Sequence, residues 1–207
     1  MLGFMFAATE TTNFASQTLI SHLIQSKSSM QKVRDEFVKT VYEPAIKEDP
    51  SLASLSKSEI LNKTVTLETA LDCEFTTMCM MEALRYCPST YISEWIYPLQ
   101  DVKLGKYYFK KGDRLAINIE ALGHNPAEWQ RPMEMIPERF DHSNKLSLTP
   151  AGNKRHNCSW VPFHGGNRVC FGKTLAETNM KIFTLYLSQK FNFEFEDKRY
   201  DTEIPLA

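Results

Sequence analysis

Phe163-His164-Gly165-Gly166-Asn167-Arg168-Val169-Cys170-Phe171-Gly172 places one cysteine among three glycines and an arginine, directly ahead of a helical pattern. Glycines let backbone approach a flat ligand closely. Arg168 adds a cation on the same loop, and a helix start behind Cys170 favours a thiolate there. A lone cysteine so framed suits one open-sided metal cofactor, and a thiolate as sole protein ligand points to haem iron. A buried structural cysteine is the commoner fate of an isolated thiol, but it does not require Gly165, Gly166 and Gly172 around it. A zinc site from His156, Cys158, His164 and Cys170 lacks the paired short spacings of structural zinc motifs.

Around this loop the chain reads as mainly helical with a small β-sheet. Apolar residues at Phe4, Ala8, Phe14, Leu19 and Leu23 predict a helix over 1–25. Val33, Phe37, Val41 and Ile46 predict a second over 30–47, ended by Pro50. Ser56 and Glu59 form a capping-box pattern for a short helix through Lys63. Leu71, Phe75, Met78, Glu82 and Arg85 share one side of a further helix that stops at Pro88. Strands are expected over 91–96, in a hairpin of 102–104 with 107–109, and over 115–119. Residues 125–162 are irregular, which is long for a compact domain. A helix over 171–189 and a strand over 191–196 close the pattern.

The 207 residues, 43% of them hydrophobic, suffice for one domain with a core. A net charge of -1 provides no general attraction to nucleic acid or anionic membrane. Five cysteines without framework spacing fit a reducing compartment. The apolar start, Met1 to Ala8, is far short of the ~20 residues that span a bilayer. The chain reads as though it begins inside a helix.

The loop is similar to the haem-binding segment of the cytochrome P-450 family, F-x-x-G-x-R-x-C-x-G. Phe163, Gly166, Arg168, Cys170 and Gly172 fill every fixed position. Other segments resemble the same family in the same order: Glu82-Ala83-Leu84-Arg85, Pro137-Glu138-Arg139-Phe140, and Ala7-Ala8-Thr9-Glu10-Thr11-Thr12. Residues 121–129 and the Lys111-Gly112 turn fit it as well, with His124 read as structural. Taken alone, Glu82 and Arg85 would be a weak surface pair, and Glu10-Thr11 a solvated helix face.

The resemblance implies the C-terminal portion of the cytochrome P-450 fold over 1–207, without its N-terminal half. It implies that Cys170 is the axial ligand of haem b, that Arg168 contacts a propionate, and that Phe163 packs beside the loop. Glu82, Arg85 and Arg139 become a buried structural lock. Glu10 and Thr11 become the acid–alcohol pair that delivers protons to bound dioxygen. Ala8 departs from the commoner glycine at a dent for oxygen, and Ser93 to Tyr97 hold no basic residue for the second propionate. The implied activity is monooxygenation of a small lipophilic organic substrate with O2 and electrons from a separate reductase. The implied parent is anchored in the endoplasmic reticulum membrane through a part outside this chain. A fragment that does not hold haem, or a thiolate-haem isomerase or dehydratase, are the alternatives. Glu10-Thr11 favours the oxygenase over the isomerase.

Overall fold

The structure, a computed structural model, describes residues 2–202. Helix α1 (Leu2–Gln25) is buried along its second half, where Leu19 and Leu23 enter the core. Helix α2 (Lys27–Phe37) starts where the Ser26 hydroxyl accepts the Ser29 N–H. It begins earlier than its periodicity predicts and does not run straight to residue 47. A π turn (Val38–Tyr42) joins it to α3 (Glu43–Glu48). Pro44 gives the reason: in a regular helix its ring would strike the Thr40 carbonyl. Glu43 N–H instead reaches back to the Val38 carbonyl, and the wider turn makes room.

Helix α4 (Lys57–Thr64) carries the expected capping box of Ser56 and Glu59. The single helix expected from Leu71 onward is two pieces, α5 (Leu67–Leu71) and α6 (Glu74–Tyr86), separated at Asp72 and Cys73. The Glu36 carboxylate holds the break open from outside. It accepts Phe75 N–H at 2.5 Å, Thr76 N–H at 2.9 Å and the Thr76 hydroxyl at 2.7 Å. A carboxylate there satisfies orphan donors and opposes the positive end of the α6 dipole.

The only sheet among the described residues is the antiparallel hairpin of β1 (Val102–Leu104) and β2 (Tyr107–Phe109). The expected strands at 91–96 and 115–119 shrink to isolated bridges, Ile92 with Asn118 and Ile96 with Leu115. Ser93 is the cause: its hydroxyl, not a backbone carbonyl, accepts the Ile117 N–H at 2.9 Å. Asn118 then caps the short helix α7 (Ile119–Gly123).

Helix α8 (Lys173–Lys190) starts two residues later than expected, after an N-cap at Gly172. The strand expected over 191–196 does not form. Arg34 takes the Phe191 carbonyl at 3.0 Å and the Asn192 side chain at 2.8 Å, and no strand lies alongside among the described residues. Helices α1, α2, α6 and α8 pack on one another. Leu19, Leu23, Val33, Phe37, Met80, Met180 and Leu185 fill the space between them.

Candidate functional site

A cavity of about 410 Å³ opens between the first half of α1 and the loop leading into α8. Ala8, Thr11 and Thr12 form one wall, while Phe163, Cys170 and Gly172 face them. The loop wall is set by its backbone. Cys170 N–H donates to the Phe163 carbonyl at 2.9 Å, and Lys173 N–H to the Cys170 carbonyl at 3.2 Å. Between them Gly166 has φ 66° and His164 φ 60°. The left-handed conformation is free for Gly166 and carries strain for His164. A Cβ on Gly172 would come within 3.8 Å of Cys170 Sγ, so glycine keeps that flank of the sulfur open.

On the facing wall α1 is unbroken. The Thr11 hydroxyl donates to the Ala7 carbonyl at 2.7 Å. Ser89, after α6, donates from its hydroxyl to the Thr11 carbonyl at 2.8 Å, fixing α1 against the rim. Sequence reasoning passed over Ser89 because nothing local marks it.

The other expected site residues divide. Phe163 is half-buried against the core and lines the cavity, as do Cys170, Gly172, Thr11 and Ala8. Glu10 is exposed on α1 and lies outside the cavity lining. Arg168 ends a 3-10 turn (Gly166–Arg168) and also points outside the lining, exposed. Ala8 additionally borders a more open groove of about 450 Å³ between α1 and α8, which does not reach Cys170.

On α6, which lends Leu84 to the cavity lining, Glu82 and Arg85 meet Arg139, all three buried. Arg85 grips the Glu82 carboxylate through Nε at 2.7 Å and Nη2 at 2.9 Å. Arg139 Nε and the Ile136 N–H both reach Glu82 Oε1 at 2.8 Å. One carboxylate cannot neutralise two guanidiniums, so main-chain carbonyls supply the remaining negative potential. Arg85 takes those of Gly123, Pro132 and Glu134, and Arg139 those of Gln130, Arg131 and Glu134. Burial lowers Arg139's proton affinity, with Glu82 pulling the other way.

Arg155 is a fourth member that the sequence did not announce. It lies 4.1 Å from the centroid of the buried Trp129 ring. It donates to the Leu146 and Arg139 carbonyls at 2.9 and 2.8 Å. Burial, then Arg139, bring its pKa down to about 10. His124, read as structural, meets the Tyr86 carbonyl at 2.9 Å through Nε2.

A mainly helical domain in which a single thiol faces a helix across an apolar cleft, together with a buried arginine–glutamate lock, defines the class. The family model "Cytochrome P450" matches residues 1–205. Among curated relatives, Cytochrome P450 3A11 of Mus musculus is 30% identical over 98% of this chain and 34% of its own length. Steroid 17-alpha-hydroxylase/17,20 lyase of Equus caballus is 28% identical over 99% of this chain and 35% of its own. The solved cytochrome P450DA heme domain superposes with a TM-score of 0.68 at 25% identity, covering 88% of this chain and 34% of that one. This chain belongs to the cytochrome P450 family, and it spans about a third of the length of the relatives it matches.

Proposed function

We propose that this chain supplies the thiolate wall and the oxygen-side wall of a haem-thiolate monooxygenase. The observation carrying the reading is the cavity itself, with Cys170 on one side and Ala8 and Thr11 on the other. Its donor set fits haem. Among the described residues no group of three or more His, Cys, Asp or Glu could hold a metal ion. A lone sulfur therefore suits a metal that brings its other ligands with it. Bound haem supplies the iron chemistry that divides dioxygen, inserting one atom into an organic substrate and releasing the other as water.

The chain's own residues have separable tasks. Cys170 binds through Sγ, and its backbone N–H, spent on Phe163, holds the loop shape rather than the ligand. Gly172 keeps the sulfur's flank clear. Thr11 holds a proton on Oγ1, donated to Ala7 and able to rotate into the cavity. Glu10, exposed next to it, takes protons from solvent and passes them on through water. Arg168 meets a propionate at the cavity edge. Glu82, Arg85 and Arg139 keep α6, and with it Leu84 on the cavity lining, rigid. The substrate is a small lipophilic molecule, electrons come from a separate reductase, and the full-length parent resides in the endoplasmic reticulum membrane. Among the described residues no helix is long and apolar enough to cross a membrane.

Reduced carbonyl spectra of the haem-loaded full-length parent test the ligand. Cys170→Ser should abolish the red-shifted Soret band of thiolate ligation, and an unchanged band would remove the reading. Thr11→Ala should divert reducing equivalents to hydrogen peroxide, and full coupling in that variant would count against the proton role.

Phe4 and Phe171, which line the cavity and meet edge-on, are 63% and 82% exposed. Apolar exposure on this scale favours a second reading, in which residues 1–207 alone do not enclose the cofactor. Titrating the purified chain with haem separates the two: a stoichiometric thiolate spectrum supports a self-sufficient site, and none supports the fragment.

A further inference from the structure

Thr11 is tethered at its backbone from outside its own helix. The Ser89 hydroxyl donates to the Thr11 carbonyl at 2.8 Å, across 78 positions of sequence. Among the described residues no other side chain from outside α1 donates to a carbonyl of that helix. By the helical pattern the same carbonyl already serves the Ala15 N–H, four residues on. Its two lone pairs accommodate both donors. A regular helical ladder needs only one donor per carbonyl, so the serine satisfies no orphaned group. What it adds is a fixed position for Thr11.

The segment that carries Ser89 is itself pinned. The Cys87 N–H closes α6 on the Ala83 carbonyl, and the buried Pro88 sets the backbone just ahead of Ser89. Beyond Ser89, Tyr91 meets Phe14 edge-on with 6.5 Å between ring centroids. Phe14 lies three residues after Thr11, on the same face of α1. The Tyr91 hydroxyl sits 3.6 Å from Cys87 Sγ, and its carbonyl takes the Ile119 N–H at 2.8 Å. Residues 87–91 therefore clamp α1 beside Thr11 through one hydrogen bond and one ring contact. Only Tyr86, Cys87 and Pro88 separate Ser89 from Arg85, whose guanidinium is locked on Glu82. The stiffness of the buried lock thus reaches the oxygen-side wall.

We infer, on the haem-thiolate reading of this cavity, that Ser89 is a positioning residue for proton delivery, acting through Thr11. Thr11 Oγ1 donates to the Ala7 carbonyl at 2.7 Å and must rotate off it to serve the cavity. With the Thr11 carbonyl held from outside, the backbone stays in place and the hydroxyl alone turns. Ser89 lines the same cavity, but its one proton is committed to that carbonyl, so it positions the donor and does not replace it.

Two measurements on the full-length parent test this. Amide exchange needs no turnover. Ser89→Ala should speed exchange over residues 11–15 about fivefold, as the loss of one neutral hydrogen bond implies, and leave residues 19–25 unchanged. The second measurement is the partition of reducing equivalents between product and hydrogen peroxide. Ser89→Ala should raise the peroxide yield about fivefold at unchanged KM. Ser89→Thr, which keeps the hydroxyl, should restore the native partition. In a Thr11→Ala background Ser89→Ala should add nothing, because no hydroxyl is left to place. Losses that add across the two sites would show a general packing role and overturn the inference. Native partition in Ser89→Ala, or unchanged exchange over residues 11–15, overturns it as well. A parent lacking the red-shifted carbonyl band instead defeats the haem-thiolate reading and the proton role with it, whereas exchange reports on the tether either way.

Discussion

Lowering the pH should unfold this protein through His22, beyond the general effect of its carboxylates. His22 lies on α1 at 3% exposure, its ring edge-on to Tyr86 at 5.2 Å. Its Nε2 is buried without a hydrogen-bond partner among the described residues. Burial, and then the Arg85 guanidinium, lower its pKa from 6.5 to about 3. The unfolded chain takes a proton near the ordinary value, whereas the folded chain refuses it until about pH 3. Stability from this residue is complete above the unfolded pKa. It falls as pH drops, by about 1.4 kcal/mol per unit, and levels off below the folded pKa. The span amounts to roughly 5 kcal/mol, comparable with the whole stability of a small domain. Urea unfolding midpoints between about pH 7 and about pH 4 measure it, with His22→Phe as the non-titrating comparison. Over that range the native sequence should lose roughly 3 kcal/mol more than the variant. Parallel stability curves would refute the reasoning, whatever the absolute stability of either protein.

The lock and its surroundings give further expectations. Glu82→Ala leaves two buried guanidiniums without their carboxylate and should cost about 3–5 kcal/mol, read as a fall in the thermal midpoint. A Cβ on Gly123 would collide with the Arg85 carbonyl oxygen, so Gly123→Ala should cost about 1–3 kcal/mol by urea unfolding. Removing the cap of α6 with Glu36→Ala should cost about 0.5–2 kcal/mol and speed amide exchange at Phe75 and Thr76.

Local patterns made the long helices legible through recurring apolar positions such as Leu19 and Leu23 on α1 and Val33 and Phe37 on α2, and α4 announces its own cap. The hairpin was legible from Gly105-Lys106 between Val102-Lys103-Leu104 and Tyr107-Tyr108-Phe109. The strands around Ser93 and Ile117 were not, since a single hydroxyl diverts the backbone donor that pairing would need. Nor was the division of α5 from α6, which depends on Glu36 arriving from another helix. In the site, motif spacing singles out Cys170 and Thr11, which line the cavity, and Glu82, Arg85 and Arg139, which meet in one buried network. Ser89 and Arg155 stayed hidden because their partners are a distant carbonyl and a distant ring. The exposure of Glu10 and Arg168 could not be read from spacing, which fixes position along the chain and not the direction of a side chain.

The irregular stretch that follows α7 turns the carbonyls of Gly123, Gln130, Arg131, Pro132 and Glu134 toward Arg85 and Arg139. Its own pairing is confined to short turns, such as Glu128 N–H to the Asn125 carbonyl and Glu134 N–H to that of Arg131. Its shape is that of a wrapping, imposed by two cations whose charges must be met once they leave water. Residues 123–139 lean on α6 through Glu82 and Arg85, so they should be protected from amide exchange together with α6 and released with it as one cooperative unit.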